Sequence, residues 1–293
     1  MSVSREEAIY AYRLILGREP ENEEVVVQAM AAENIAHLRQ VFLGSHEFTN
    51  KYDGSVHRAL PVGRYFDVSR VDIDIDCTPE QLQAMFDRIA RAWQAFGETE
   101  PHWSVLVSED YRPDKLEENI DRFYASGIGD IDVHLNFLRR ASLPTSFGKA
   151  LDFGCGVGRL TLALAPHADK VVGVDISPPH LRLARERAAA TGVGNVQFES
   201  IASVNDLDRY EGFDFVICRI VLQHNPPPVM AALYAKLLSA LAPGGIAIVQ
   251  IPTFIHGQSF AAVDYLVSEQ PQMEMNSLPQ QVIFRIIEEA GCR

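Results

Sequence analysis

The second half of this chain predicts an α/β domain: a doubly wound, mostly parallel sheet, preceded by a small helical module. Three observations carry the prediction. From about residue 147, short strand-like segments alternate with helical ones, and strands joined through helices pair in parallel with right-handed crossovers. Those strand segments are nearly continuously apolar, as in a sheet covered on both faces. The first of them ends in a glycine-rich turn, Gly154-Cys155-Gly156-Val157-Gly158, where open sheets of this kind take their ligands.

The elements divide into three segments: 1–55, 56–146 and 147–293. In the first, Ala8, Ile9, Tyr12, Leu14 and Ile15 stand near helical spacing, and Gly17 and Pro20 stop that helix. Two more apolar-periodic stretches follow, Val25 to Met30 and Ile35 to Phe42. In the second segment, Val71-Asp72-Ile73-Asp74-Ile75-Asp76-Cys77 alternates strictly and predicts a strand with one wet face. Its three aspartates would line that face, either keeping an edge strand soluble or holding a metal; the first reading is preferred. Thr78, Pro79 and Gln81 form the opening of a helix with a T-x-x-Q capping box, which is expected to run to Phe96 and end at Gly97. Two further helices are expected near 115–125 and 129–142.

In the third segment the expected strands are 150–153, 170–176, 196–199, 213–221 and 246–251. The expected helices are 160–168, 178–190, 227–241 (ended by Pro243-Gly244-Gly245) and 280–290.

Bulk properties exclude several classes. Of the 293 residues 47% are hydrophobic and 22% charged, as in an ordinary globular chain, so a sizeable core is available. The formal charge of −13 argues against a phosphate-backbone partner, and the short basic clusters at Arg139-Arg140 and Arg182 to Arg187 read as solvated helix faces. Cys77, Cys155, Cys218 and Cys292 form no C-x-x-C pair and suggest neither zinc nor a disulfide framework, which fits a reducing cytoplasm. The N-terminus lacks a signal-peptide layout, and no apolar run approaches the roughly 20 residues of a membrane span.

The residues around the glycine turn suggest the ligand. Glycines let the backbone turn sharply and approach a ligand closely. Asp175, at the end of the second strand, is placed to accept bonds from two ribose hydroxyls. A dinucleotide would need G-x-G-x-x-G with its pyrophosphate on the helix N-terminus, but Arg159 occupies the third glycine's place. Asp152 would repel a pyrophosphate and attract an α-ammonium. Charge therefore favours an amino-acid-bearing nucleoside such as S-adenosylmethionine (SAM) over a dinucleotide.

Four motifs in order then carry a resemblance: Leu151-Asp152-Phe153-Gly154-Cys155-Gly156-Val157-Gly158, Val172-Gly173-Val174-Asp175-Ile176-Ser177, Phe213-Asp214-Phe215-Val216 and Leu241-Ala242-Pro243-Gly244-Gly245. Together they resemble the class I SAM-dependent methyltransferases, whose domain is a Rossmann-like sheet. The resemblance implies SAM as cofactor. Asp152, Gly154, Cys155, Gly156 and Gly158 would lie along the methionine part, with Asp175 and Ile176 at the ribose. Two departures stand out. Where the family often carries an acid after the third strand to bond the adenine, this chain has Ala202, with Ser203 or Asn205 as stand-in. The family's sixth and seventh strands have no sequence left after the last helix, so the final strands are expected to be missing and the domain C-terminally truncated.

Methyl transfer from a sulfonium mainly needs donor and acceptor held in near-attack geometry, with a base for some acceptors. His224, just beyond the fourth strand, is the candidate base, or else a wall of the pocket. Arg219 faces the same end and would meet either an acidic ligand or an internal carboxylate. Tyr124 lies in Phe123-Tyr124-Ala125-Ser126-Gly127, which resembles a cofactor-covering segment in some of these enzymes. His102-Trp103-Ser104-Val105-Leu106 stands out upstream, and Phe254 and His256 fall where substrate-facing loops occur. The N-terminal stretch, with Tyr12 to Pro20 and Phe42 to Phe48, resembles a small domain of unassigned function that accompanies enzymes of surface-glycan assembly. The expectation is a cytoplasmic methyltransferase for a small-molecule or glycan acceptor, methylating oxygen or nitrogen. It uses no metal, nucleic acid or membrane, and residues 1–55 offer a protein-contact surface. The alternative is a non-catalytic SAM-binding protein acting through that module.

Overall fold

The computed structural model describes residues 3–51, 72–269 and 273–293. The chain forms two compact units, Met1–Arg70 and Val71–Arg293. The expected boundary at 55/56 lies outside the described residues, as does Val71 of the expected strand.

The first unit is helical: α1 (Arg5–Ala11), α2 (Glu23–Met30), α3 (Ile35–Leu43) and α4 (His46–Lys51). Ser4 and Glu7 close a capping box on α1, and a single π turn over Tyr12–Leu16 continues it to Gly17, whose φ of 63° caps it. Val3, Ala8, Leu16, Val26, Leu38 and Phe42 form its core. The two conspicuous sequence motifs meet in space. Arg18 pairs with Glu47, its Nη2 donating to Oε2 at 2.6 Å, and Tyr12 packs edge-on to Phe42 with centroids 4.7 Å apart.

In the second unit, residues 72–77 keep the expected alternation of exposed aspartates and half-buried Ile73, Ile75 and Cys77. They do not form a strand: a single parallel bridge joins Ile73 to Phe260. Pairing goes no further because the chain after Phe260 turns into a helix whose first amide, Ala262 N, donates to Asp74 Oδ2 at 3.0 Å. Asp74 is thus a helix cap. Among the described residues no group of His, Cys, Asp or Glu could hold a metal ion, and no helix is long and apolar enough to cross a membrane.

The capping box of Thr78 and Gln81 opens α5 (Pro79–Thr99). This helix runs through Gly97 instead of ending there. A five-residue α6 (Pro101–Val105) follows. The two helices expected at 115–125 and 129–142 are one, α7 (Leu116–Arg140). Gly127 does not break it because the glycine is needed for contact: a Cβ there would stand 2.4 Å from the carbonyl oxygen of Arg159.

The sheet has five described strands: β1 (Phe147–Phe153), β2 (Ala168–Asp175), β3 (Val196–Ser200), β4 (Phe213–Cys218) and β5 (Leu241–Val249). All pair in parallel in the order β3-β2-β1-β4-β5. They are linked by α8 (Arg159–Leu164), α9 (Pro178–Thr191) and α10 (Pro227–Ser239), with α11 (Ala262–Val267) and α12 (Gln280–Glu289) after β5. β4 ends at Cys218, short of the expected Val221, so Arg219 lies beyond the strand. Helix α10 ends at Ser239, and Pro243-Gly244-Gly245 falls within β5, opposite a register shift between Phe213 and Phe215.

The period-two alternation of the strands divides the core. Leu151, Val172, Val216 and Cys218 pack on one side with Met85, Phe86 and Ile89 of α5 and Val229 and Leu233 of α10. Ala150, Val171, Phe215 and Ile217 pack on the other with Ile131 and Leu135 of α7 and Leu160 and Leu164 of α8. The sheet is covered on both faces, which is why its strands read as apolar runs.

The contact at Gly127 gives a signed prediction. Gly127→Ala should destabilise the chain by about 1–3 kcal/mol through overpacking. Gly129→Ala, on the same helix with nothing within 4 Å of its Cβ position, should stabilise it by roughly 0.5–1 kcal/mol. Urea unfolding of both variants checks the pair, and equal shifts would contradict the packing assignment.

Candidate active site

The order of the strands reverses between β1 and β4, and ligands of such sheets bind outside the carboxyl ends there. A cleft of about 830 Å³, counting its open mouth, lies at that position. The turn after β1 and the loop after β4 meet at its floor. Gly154 has φ of 72° and a Cβ on it would come within 2.3 Å of Val221. Gly156 has φ of 53°, and a Cβ there would meet Val105 of α6 at 2.6 Å. Both positions exclude a side chain on sterics as well as on backbone conformation.

Asp175 organises the turn. One carboxylate oxygen accepts from Gly156 N at 2.8 Å and the other from Ser177 N at 2.9 Å. Each ionised oxygen keeps acceptor capacity toward the cleft. Asp152, 1% exposed, accepts from Thr161 Oγ1 at 2.6 Å. Burial raises its carboxyl to about 6; the Thr161 bond and nearby Arg159 pull the other way, while Asp175 adds to the rise. The carboxyl therefore holds a proton below about pH 6 and is ionised above it.

A second charged group lies beside this acidic pair. Asp130 of α7 takes Arg159 Nη1 at 2.7 Å on one oxygen and Arg219 Nη1 at 2.5 Å on the other. Burial would raise the Asp130 carboxyl, but these two arginines outweigh it and hold the group below its ordinary value. Of the two alternatives for Arg219, the internal carboxylate is realised, while the side chain still borders the cleft. Between Arg219 and Val221, Ile220 adopts φ of 58°. A β-branched residue in this region is strained by about 1–3 kcal/mol, a cost that concentrates at functional sites.

The expected site residues fall into two groups. Asp152, Gly154, Cys155, Gly156, Asp175, Ile176 and Arg219 line the cleft. Gly158, Tyr124, Ser203 and His224 do not. Gly158 lies under Phe198 and Ala184. Tyr124 donates to Val157 O at 3.2 Å and stacks beneath Arg187. Ser203 caps a 3₁₀ turn over Val204–Arg209 in a box with Asp206. His224 is buried with Nδ1 2.7 Å from the Glu274 carbonyl oxygen, which can only accept, so Nδ1 carries the proton. Its ring packs 5.3 Å from that of Trp93, and burial lowers its affinity for a second proton.

Sequence reading missed Phe86, Ile89 and Trp93 of α5, His180 of α9 and Asn225, all of which line the cleft. The α5 residues follow i, i+3, i+7 spacing, a signal that reads only as an apolar helix face until the helix is placed. Asp130 carries no local signal, since its role depends on α7 lying against α8.

Residues 150–245 match the family model described as a methyltransferase domain. The chain is 32% identical over 145 residues to the ubiquinone biosynthesis O-methyltransferase of Idiomarina loihiensis, covering 49% of this chain and 55% of that protein. It is 32% identical over 153 residues to the enzyme of the same name from Xylella fastidiosa, covering 47% and 59%. The chain therefore spans somewhat more than half the length of these relatives. Among solved structures, magnesium protoporphyrin IX methyltransferase from Synechocystis PCC 6803 with bound SAM superposes with a TM-score of 0.46 at 20% identity, covering 70% of this chain and 86% of that one.

The Asp152 carboxyl makes stability depend on pH. Because the fold favours its protonated form, the folded state binds more protons than the unfolded state between about pH 4 and 6, and stability falls as pH rises through that window. In Asp152→Asn, whose amide oxygen can still accept from Thr161, this component should vanish. Denaturant midpoints of both proteins across pH 4–7 check it: the difference curve should slope in that window and flatten above it.

Proposed function

We propose that this chain is a SAM-dependent methyltransferase for a small-molecule acceptor, transferring the methyl group by in-line displacement. The observation that carries the reading is the pairing of Asp152 and Asp175 around a glycine turn at the switch point. Two carboxylates there disfavour the pyrophosphate of a dinucleotide and suit a ligand with an ammonium and a ribose diol.

When bound, SAM supplies an electrophilic methyl group on a sulfonium. Asp175 is pre-set by two backbone amides to accept from the ribose hydroxyls. An ammonium beside Asp152 would lower its carboxyl and hold it ionised, completing a charge pair. Trp93, Phe86 and Val221 give the cleft apolar walls that exclude water from a sulfonium centre. His224 serves as a wall behind Trp93, its Nδ1 proton committed to a carbonyl. The residues therefore support catalysis by positioning, with an acceptor nucleophilic enough to need no strong base. The O-methyltransferase names of the relatives support an oxygen acceptor. The glycan association of the N-terminal motifs makes sugars one arm of an acceptor screen.

Calorimetric titration with S-adenosylhomocysteine tests the reading. The wild-type chain should bind in the micromolar range. Asp175→Ala, which removes the diol acceptor and both amide ties, should weaken binding by about a hundredfold, or ~2.7 kcal/mol. A folded wild-type chain that does not bind would overturn the proposal. Binding without turnover of any screened sugar, phenol or amine would favour a SAM-responsive binding protein.

A further inference from the structure

The proposed function leaves His180 without a task. It is 1% exposed, lines the cleft, and stands at the centre of a polar chain that joins three separate elements. Its Nδ1 lies 2.7 Å from Ser177 Oγ, and Ser177 Oγ donates to the Trp93 carbonyl of α5 at 3.1 Å. Its Nε2 lies 3.0 Å from Ser104 Oγ and 3.2 Å from the Pro101 carbonyl, both in α6. The Trp93 carbonyl only accepts, which fixes the direction of the chain. Ser177 donates to Trp93, so Nδ1–H donates to Ser177 and Nε2 is left to accept from Ser104 Oγ–H, whose other acceptor is the Pro101 carbonyl at 3.1 Å. This neutral tautomer serves those links but not the approach of Nε2 to the Pro101 carbonyl, which would need the proton on Nε2; links aligned in one direction reinforce each other.

Two features make this more than a satisfied core histidine. First, Gly97 of α5 sits directly on it: a Cβ at Gly97 would stand 2.7 Å from both His180 Nδ1 and Ser177 Oγ. The helix approaches so closely only because that position has no side chain. Second, both ends of the chain touch the cofactor cleft. On one side Ser177 N holds Asp175 Oδ1. On the other Val105, next to Ser104, lies over Gly156, whose own amide holds Asp175 Oδ2. The cover and the carboxylate are thus connected by two routes, one through His180 and one through the glycine turn.

We propose that His180 is a positioning residue that latches α6 to the Asp175 turn, so that seating the cover over the cleft and setting the ribose-binding carboxylate are one event. The proposal rests on the SAM reading for the identity of the ligand. It assigns to 101–105 the part of a cover whose closure the ligand favours and whose register His180 fixes.

The test uses the full chain, S-adenosylhomocysteine as probe, and amide hydrogen exchange of residues 102–106, where Ser104 N and Leu106 N bond back to Glu100 and His102. In the wild type the probe should slow exchange there. His180→Ala should weaken probe binding at least about tenfold and abolish that slowing. His180→Asn keeps a polar atom near Ser177 but cannot reach Ser104. It should recover the thermal midpoint of the wild type without recovering the slowing, an outcome that a purely structural role does not produce. Ser104→Ala, which cuts the cover side alone, should behave like His180→Asn. A folded His180→Ala that binds the probe within about twofold, with 102–106 still slowed, would overturn the latch. If the wild type binds no probe, the SAM reading fails separately, and the latch is judged on ligand-free exchange. His180→Ala must then speed exchange at both 102–106 and Ser177; faster exchange at neither, or at one only, overturns it.

Discussion

The two backbone hydrogen bonds to Asp175 are the constraint on which the rest of the site depends. A parallel sheet brings the ends of β1 and β2 side by side, but it does not fix the loops that leave them. The carboxylate does so by taking Gly156 N from one loop and Ser177 N from the other. Once it is seated, the turn glycines are forced close to Val221 and Val105, and α9 begins at Pro178 with His180 of its first turn lining the cleft. Hydrogen bonds to an ionised group are worth about 1.5–3 kcal/mol each, enough to hold a loop that otherwise has only glycine's conformational freedom. The same charge that shapes the loop remains available to a ligand.

Helix α5 converts that loop geometry into an enclosed site. Its apolar side carries Met85, Phe86 and Ile89 into the core of the sheet. Further along, Arg88 reaches the carbonyls of Tyr265 at 2.9 Å and Ser268 at 3.0 Å, holding the end of α11, and Gln83 donates to the Ala202 carbonyl at 2.9 Å. One helix therefore contacts the segment after β3, the segment after β5 and, through Gly97, the segment after β2. Phe86, Ile89, Trp93, Ser104 and Val105 of the cleft wall lie outside the stretch matching the methyltransferase model, which begins at residue 150.

How much of this was legible in the sequence follows from the range of each interaction. The parallel strand–helix alternation, the glycine turn and the place of Asp175 were readable because apolar periodicity, a glycine cluster and an acid at a strand end are local signals. Thr78, Pro79 and Gln81 announced a helix start for the same reason. Gly97 and Gly127 misled because glycine in a helical pattern reads as a stop. In the structure each is there for a neighbour far along the chain, Ser177 and His180 in one case and Arg159 in the other. The aspartates of 72–77 misled in the opposite sense. Their alternation is real, yet a strand also needs a partner, and Phe260 supplies a single residue of pairing before α11 begins. Ser203 looked like a ligand contact and is occupied as a cap, since a small hydroxyl before a turn satisfies the backbone first.

The arginine pair around Asp130 shows why charge at this site must be counted as a group. Arg159 is 3% exposed, and a guanidinium in that setting is tolerated only with a fixed partner. Asp130 provides it, but divides its two oxygens between Arg159 and Arg219. Two cations sharing one carboxylate leave a surplus positive charge beside Asp152 and Asp175, whose own charges are thereby partly offset. The acidic pair can remain close together across the glycine turn because this offset lies within the same cleft. An amino-acid-bearing ligand with an ammonium, a carboxylate and a sulfonium would add one net positive charge to three aspartates and two arginines, whose ionised sum is one negative charge. A pyrophosphate would add negative charge, which would have to be carried against two aspartates. The −13 net charge of the chain is therefore a weaker guide to the ligand than Asp152, Arg159, Asp175 and Arg219, which line one cleft, and Asp130, which pairs with both arginines.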